Sequence, residues 1–178
     1  TSTSAYVRNT DANSAVQGVS NNSYLEVTNA TGTAEVTFEI PQILAGKYDV
    51  YVDFVPPVID GVALAKEKTR LEFRLVYPRA DKNGTANISR DDDDDPDLII
   101  GGDSVGDNKV KTLKVWEALE LPAANYYDGM WFMDEDNSTD DVKVRTTFRI
   151  RTNVKAPEVN VKYRRRFRVD RIRFVPVP

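Results

Sequence analysis

The sequence predicts an all-β protein built as an antiparallel β-sandwich, on three observations. Apolar residues recur with a two-residue rhythm in at least six segments, turn residues separate those segments, and no helical period is sustained anywhere. The rhythm matters because successive side chains of a strand point to opposite faces. A strand with one apolar and one polar face has one side in a core and the other in water.

The elements follow in order. "SYLEVT" is a short strand, and "AEVTFEI" places Val36, Phe38 and Ile40 on one face with Glu35, Thr37 and Glu39 on the other. A Gly46-Lys47 turn opens "GKYDVYVDF", which turns Tyr48, Val50, Val52 and Phe54 inward and Asp49, Tyr51 and Asp53 outward. "TRLEFRLVYP" sets Leu71, Phe73, Leu75 and Tyr77 against Glu72, Arg74 and Val76. "LKVWEALEL" is strand-like and takes Trp116 into the core. "VKVRTTFRIRTNV" alternates Val142, Val144, Phe148 and Ile150 with Lys143, Arg145, Arg149 and Arg151. The last segment starts with Val159, Val161 and Tyr163 on one side and resumes with Ile172 and Phe174 on the opposite parity, which predicts a bulge between 164 and 170. Together these strands form a single domain over 1–178. A long polar connection crosses about 78–108, with Leu98 to Ile100 tucking it back onto the body.

Charge is unevenly spread. Residues 1–141 carry 12 Lys and Arg against 26 Asp and Glu, and residues 142–178 carry 12 against 2. Acidic strands (35–40, 48–54) and basic strands (143–151, 162–173) that neighbour each other in one sheet would neutralise this split internally, at about 0.2–1 kcal/mol for each cross-strand pair. The competing expectation is a bare basic face of Arg149, Arg151 and Arg166 that docks on an adjacent domain or partner chain. A nucleic-acid surface is not expected, because the residues between the basic ones are aliphatic and needed for the core. No apolar run approaches the roughly 20 residues that span a bilayer, so no membrane contact by the domain itself is expected. The opening "TSTSAYVRNTDANSA" lacks the basic and apolar regions of a signal peptide, so either the mature chain starts here or it belongs to something longer.

The chain contains no His and no Cys. That removes imidazole bases, Ser–His and Cys–His nucleophiles, thiolate chemistry and His- or Cys-bound metals, and leaves carboxylates, Ser–Lys chemistry, oxygen-ligated Ca²⁺ or Mg²⁺, and binding without reaction. A glycosidase needs two carboxylates about 5–10 Å apart across a cleft. The acids here lie on outer strand faces or in loops, so no catalytic residues and no enzyme activity are expected.

Two stretches carry the site expectations. "SRDDDDDPDLIIGGDSVGDN" holds six acids in the seven positions 91–97. Counted from Asp91, Pro96 falls at the sixth position of a calcium loop and Gly102 at the twelfth, where a Gly and a Glu are needed. The stretch therefore reads as a solvated segment, with loose Ca²⁺ association through Asp91, Asp93 and Asp95 as the one metal reading and no other cofactor. "ELPAANYYDGMWFMDEDN" gathers Tyr126, Tyr127, Trp131 and Phe132 beside Asp128 and Asp134. Aromatic faces flanked by carboxylates suit sugar recognition, with Tyr126, Tyr127, Asp128, Trp131 and Asp134 as the contact residues. The blander reading is that these aromatics plug the end of the sandwich. Five N-x-[ST] sequons, at Asn21, Asn29, Asn83, Asn87 and Asn137, mark surface loops if the chain passes a eukaryotic secretory route.

Several blocks carry a resemblance. "YLEVTNATGTAEVTFEIPQILAGKYDVYVDFVPP", "KVWEALELPAANYYDG", "FRIRTNV" and "RRRFRVDRIRFVPV" resemble, over most of residues 6–177, the C-terminal β-sandwich module of Bacteroides-type fasciclin-domain-containing and hypothetical surface lipoproteins. More loosely, the frame "SYLEV … GKYDVYV … VDRIRFVPV" is similar to galactose-binding-like jelly rolls, the fold of many carbohydrate-binding modules. The resemblance implies a jelly-roll topology and a non-catalytic, extracellular module at a bacterial cell surface, borne by an outer-membrane lipoprotein. Such a module would bind polysaccharide or support a polysaccharide-utilisation assembly, with another cell-surface protein domain as the alternative partner. It carries no catalytic residues over to this chain, and neither a fasciclin domain nor the lipidated cysteine is present in it.

Overall fold

The computed structural model describes residues 4–9, 18–40, 43–56, 58–59, 62–63, 68–78, 83–88, 99–100, 109–121, 131–133, 141–143, 146–156, 159 and 163–178. Fourteen strands run through them: β1 (Ala5–Asn9), β2 (Tyr24–Thr28), β3 (Glu35–Glu39), β4 (Gly46–Phe54), β5 (Val58–Ile59), β6 (Val62–Ala63), β7 (Thr69–Pro78), β8 (Asn83–Ile88), β9 (Ile99–Ile100), β10 (Lys111–Leu121), β11 (Trp131–Met133), β12 (Asp141–Lys143), β13 (Thr147–Thr152) and β14 (Arg166–Val177). A 3₁₀ turn stands at Ser20–Asn22 and Ala156 is also 3₁₀, and among the described residues there is no α-helix.

Two antiparallel sheets form the body. The first has the order β1-β2-β14-β4-β10 and the second β3-β13-β7-β8, with β9 added to the start of β7. The alternation dictates which faces meet. Tyr48, Val50, Val52 and Phe54 of β4, with Leu113, Val115 and Leu121 of β10, bury against Leu71, Phe73 and Leu75 of β7 and Phe148 and Ile150 of β13. Rings join the layers: Phe54 lies 6.4 Å from Phe73, Trp116 5.6 Å from Phe148, and Phe148 6.5 Å from Phe174. The last two pairs are edge-to-face and the first is tilted, and aromatic pairs in such arrangements add about 0.5–1.5 kcal/mol beyond area burial.

Two irregularities place side chains that strict alternation would misdirect. In β14, Phe167 and Val169 are buried, the register slips between Val169 and Arg171, and Ile172 and Phe174 then pack against the core. Asp170 is the extra residue, inside the 164–170 window where the parity change put the bulge. In β10 the register shifts twice, between Lys114 and Trp116 and between Trp116 and Leu119. The first shift turns Trp116 to the core beside Val115, and the second restores the phase for Leu119 and Leu121. Ala118 closes the second bulge at φ +47°, a left-handed conformation that is strained for a residue with a Cβ. Ala118→Gly is expected to raise stability by about 0.5–1 kcal/mol in urea titrations. A loss would mean that the bulge needs the methyl group.

Two stretches depart from the sequence reading. The connection expected over about 78–108 contains β8, which pairs along β7 with Ala86 opposite Leu75 and Ile88 opposite Phe73. As an edge strand β8 offers only Ala and Ile in the rows of the core residues Phe73 and Leu75, and its "NGTANI" composition hides it. Further along, Ile99 and Ile100 pair with Arg70 and Thr69. The second departure is the run from Val142 to Ile150, read as one strand. Asp141–Lys143 pairs with Trp131–Met133 in a separate ribbon, and only Thr147–Thr152 enters the second sheet. Periodicity continues across the break, so it carries no sign of the change of partner.

Candidate functional site

The outer face of the first sheet is a layer of cations over carboxylates. Asp53 is fully buried on β4, and Thr112 of β10 donates to its Oδ1. From β14, Arg171 donates Nε to Oδ2, and Arg173 reaches both oxygens, with Nη2 3.0 Å from Oδ1. Glu26 of β2 takes Nε of Arg168 at 2.6 Å and faces Arg166 at 3.6 Å. The same device recurs on the second sheet, where Glu72 of β7 pairs with Arg151 and lies 3.6 Å from Arg149. In each case an Arg-x-Arg run on one strand (149–151, 166–168, 171–173) straddles a single acid on the next. Residues two apart share a face, so two guanidiniums reach one carboxylate between them.

Asp49 holds the same outer face nearer the start of β4. Its Oδ2 lies 2.8 Å from Lys114 Nζ and accepts the Tyr51 hydroxyl, and its Oδ1 accepts the N–H of Ala118 at 2.9 Å, fastening the strained bulge. The Tyr51 ring lies under two cations, Arg173 at 5.1 Å and Lys114 at 5.7 Å. The hydrogen bond from Lys114 is the largest influence holding the Asp49 carboxyl below its usual range, and the same contact raises Lys114. Burial pushes Asp53 up, but the hydrogen bonds from Thr112, Arg171 and Arg173 outweigh it and the carboxyl titrates low. Groups held in the charged form clamp cations and are poorly suited to donating protons.

Asp170 behaves differently. Its side chain is buried at the bulge, Oδ1 accepts the Ser20 N–H at 2.9 Å, and Oδ2 has no hydrogen-bond partner among the described residues. Burial raises its carboxyl, with the Ser20 N–H opposing.

The expected bare basic face is not what these strands present. Arg149 and Arg151 have Glu72 beside them and Arg166 has Glu26, because the acids sit on the neighbouring strands. This is the internal neutralisation that the charge split suggested. The Arg-x-Arg runs were visible in the sequence as its signal.

Of the sugar-contact residues, Tyr126, Tyr127, Asp128 and Asp134 lie outside the described residues. Trp131 opens β11 opposite Lys143, and β11 and β12 pair with each other apart from both large sheets. The metal-reading residues Asp91, Asp93 and Asp95 also lie outside the described residues. Among the described residues no group of three or more acids could hold a metal ion. The sequon at Asn29 has a structural use. Its Oδ1 accepts the N–H groups of Thr31 and Gly32 and its Nδ2 donates to the Thr33 carbonyl, so the buried amide organises the β2–β3 turn.

The class these observations define is an all-β protein of two stacked antiparallel sheets. No protein-family model matches the chain, and no curated protein or solved structure does so either.

Proposed function

We propose that this chain is a non-catalytic cell-surface β-sandwich module that binds glycan, with Tyr126, Tyr127, Asp128, Trp131 and Asp134 as its contact residues. The observation that carries the reading is the separateness of the β11–β12 ribbon. Trp131 and Phe132 stand on a short antiparallel strand pair that, among the described residues, is hydrogen-bonded to neither large sheet. Aromatic residues flanked along the sequence by carboxylates match the chemistry of stacking on a sugar's C–H face while oxygens accept its hydroxyls.

The topology proposed with it is a jelly roll. With β1 and the short strands set aside, chain-order neighbours β2/β3, β3/β4, β4/β7, β8/β10, β10/β13 and β13/β14 fall in opposite sheets, and only β7/β8 remain together. That winding, with orders β2-β14-β4-β10 and β3-β13-β7-β8, supports the galactose-binding-like reading. An extracellular location on a surface lipoprotein follows from the sequence resemblance. Docking through a bare basic face is the weaker reading, since Arg151 and Arg166 have acidic neighbours within their own sheets.

The test is a glycan array followed by affinity electrophoresis, with Trp131→Ala beside the wild type and thermal melting as a folding control. Loss of an aromatic anchor is expected to weaken binding about tenfold or more while the melting temperature holds. Absent binding, or binding indifferent to the substitution, removes the site.

A further inference from the structure

One register row on the outer face of the second sheet runs against its own electrostatics. Thr37, Arg149, Arg74 and Asn87 stand opposite one another on β3, β13, β7 and β8 in turn. The two central residues are both arginines, directly across the β13–β7 pair, where like-charged residues placed opposite each other are destabilising. Arg74 is exposed, and no hydrogen bond or ion pair joins it to another described residue. Arg149 is half-buried. Its Nη2 stands 3.6 Å from Glu72, and its Nε is buried with no hydrogen-bond partner among the described residues.

The contrast with the other arginines is specific. Arg151, Arg168, Arg171 and Arg173 each direct Nε to a carboxylate oxygen. Arg149 does not, because Glu72 is the one acid between it and Arg151, and Arg151 takes it. In the register, Glu35 faces Arg151 and Glu39 faces Thr147, so neither stands opposite Arg149. The row thus holds two guanidiniums with unfilled donors, fixed on a rigid sheet, and a Thr hydroxyl exposed at one end.

We propose that Arg74 and Arg149 together bind one oxyanion group of an external ligand, a sulfate ester or uronate carboxylate carried by an acidic polysaccharide. An oxyanion between the two guanidiniums removes their repulsion and receives charge-assisted hydrogen bonds from both. The arginine pair stands on geometry alone, and its assignment to a polysaccharide rests on the glycan reading above.

The experiment compares wild type, Arg74→Gln and Trp131→Ala in affinity electrophoresis against dextran sulfate, polygalacturonate, neutral dextran and poly-glutamate. Melting curves in sodium sulfate and in sodium chloride of equal ionic strength accompany it. The expected result is retention by at least one acidic polysaccharide, weakened about tenfold by Arg74→Gln and by added salt. Sulfate is expected to raise the melting temperature of the wild type more than that of Arg74→Gln, a comparison that cancels the general stabilisation sulfate gives every protein. Without ligand, Arg74→Gln melts at the wild-type temperature or above, since a repulsion is gone. The proposal falls if no acidic polymer binds, if wild type and Arg74→Gln respond equally, or if the unliganded variant is destabilised. Equal or tighter Arg74-dependent binding of poly-glutamate overturns the polysaccharide assignment. Acidic-polymer binding lost in Arg74→Gln but intact in Trp131→Ala upholds this site while the ribbon reading fails, and the reverse pattern sinks this one alone.

Discussion

Phe148→Ala is expected to lower the folding free energy by about 3–5 kcal/mol, read from urea denaturation. Phe148 is fully buried on β13, and its ring meets Phe73 at 6.1 Å, Trp116 at 5.6 Å and Phe174 at 6.5 Å. Those partners come from both sheets, so the truncation opens a cavity at the seam between layers. Neither layer can close it without moving a hydrogen-bonded strand, and relaxation is therefore limited. Phe148→Leu leaves less empty volume and is expected to lose a smaller amount, about 1–1.5 kcal/mol. A loss below about 1.5 kcal/mol for the alanine variant would show that the ring does not join the sheets.

Asp53→Asn is expected to destabilise by about 2–3 kcal/mol at neutral pH. Removing one partner of a buried ion pair typically costs about 3–5 kcal/mol, and the figure is reduced here because Arg171 and Arg173 are part-exposed and can turn to water. The amide keeps an acceptor for Thr112 but loses the charge that holds both arginines. The pH dependence has a definite sign. Asp53 is lowered in the folded protein, so its contribution is fully present above its ordinary value of about 3.9 and is lost as pH falls through the lower folded value. Asp170 is raised, so its contribution is present below about 3.9 and is lost as pH rises through the raised value. Asp170→Asn retains an acceptor for the Ser20 N–H and is expected to gain stability at pH 7, in the direction opposite to Asp53→Asn. Denaturation midpoints between pH 2 and 7 check both, and parallel profiles for the two variants would refute the assignment.

Legibility differed by residue for physical reasons. Tyr48, Val50, Val52 and Phe54 are inward as the rhythm required, because a strand with one apolar face has one orientation that keeps it dry. The bulge at Asp170 was legible because a parity change within one run has no other cheap explanation. Strand β8 was not, since an edge strand meets the core with few side chains and its alternation stays faint. The second shift in β10 was hidden as well, because two bulges restore the phase and leave no lasting change of parity.

Of the candidate sites, the sequence brought together the aromatic cluster around Trp131 and set the acidic and basic strands against each other. It was silent on which acid meets which arginine. Asp53 has the same character in the sequence as Asp49, yet it is buried beneath Arg171 and Arg173 while Asp49 serves Lys114 and the bulge at Ala118. Arg149 and Arg74 are 75 positions apart in the chain and become opposite only through the β13–β7 register. Composition and alternation, which are local properties of the chain, determined the layers, their faces and the chemistries excluded by the lack of His and Cys. Pairing order and register arise from contacts between distant segments, so the tertiary structure alone decided where charges cancel and where two arginines are left facing each other.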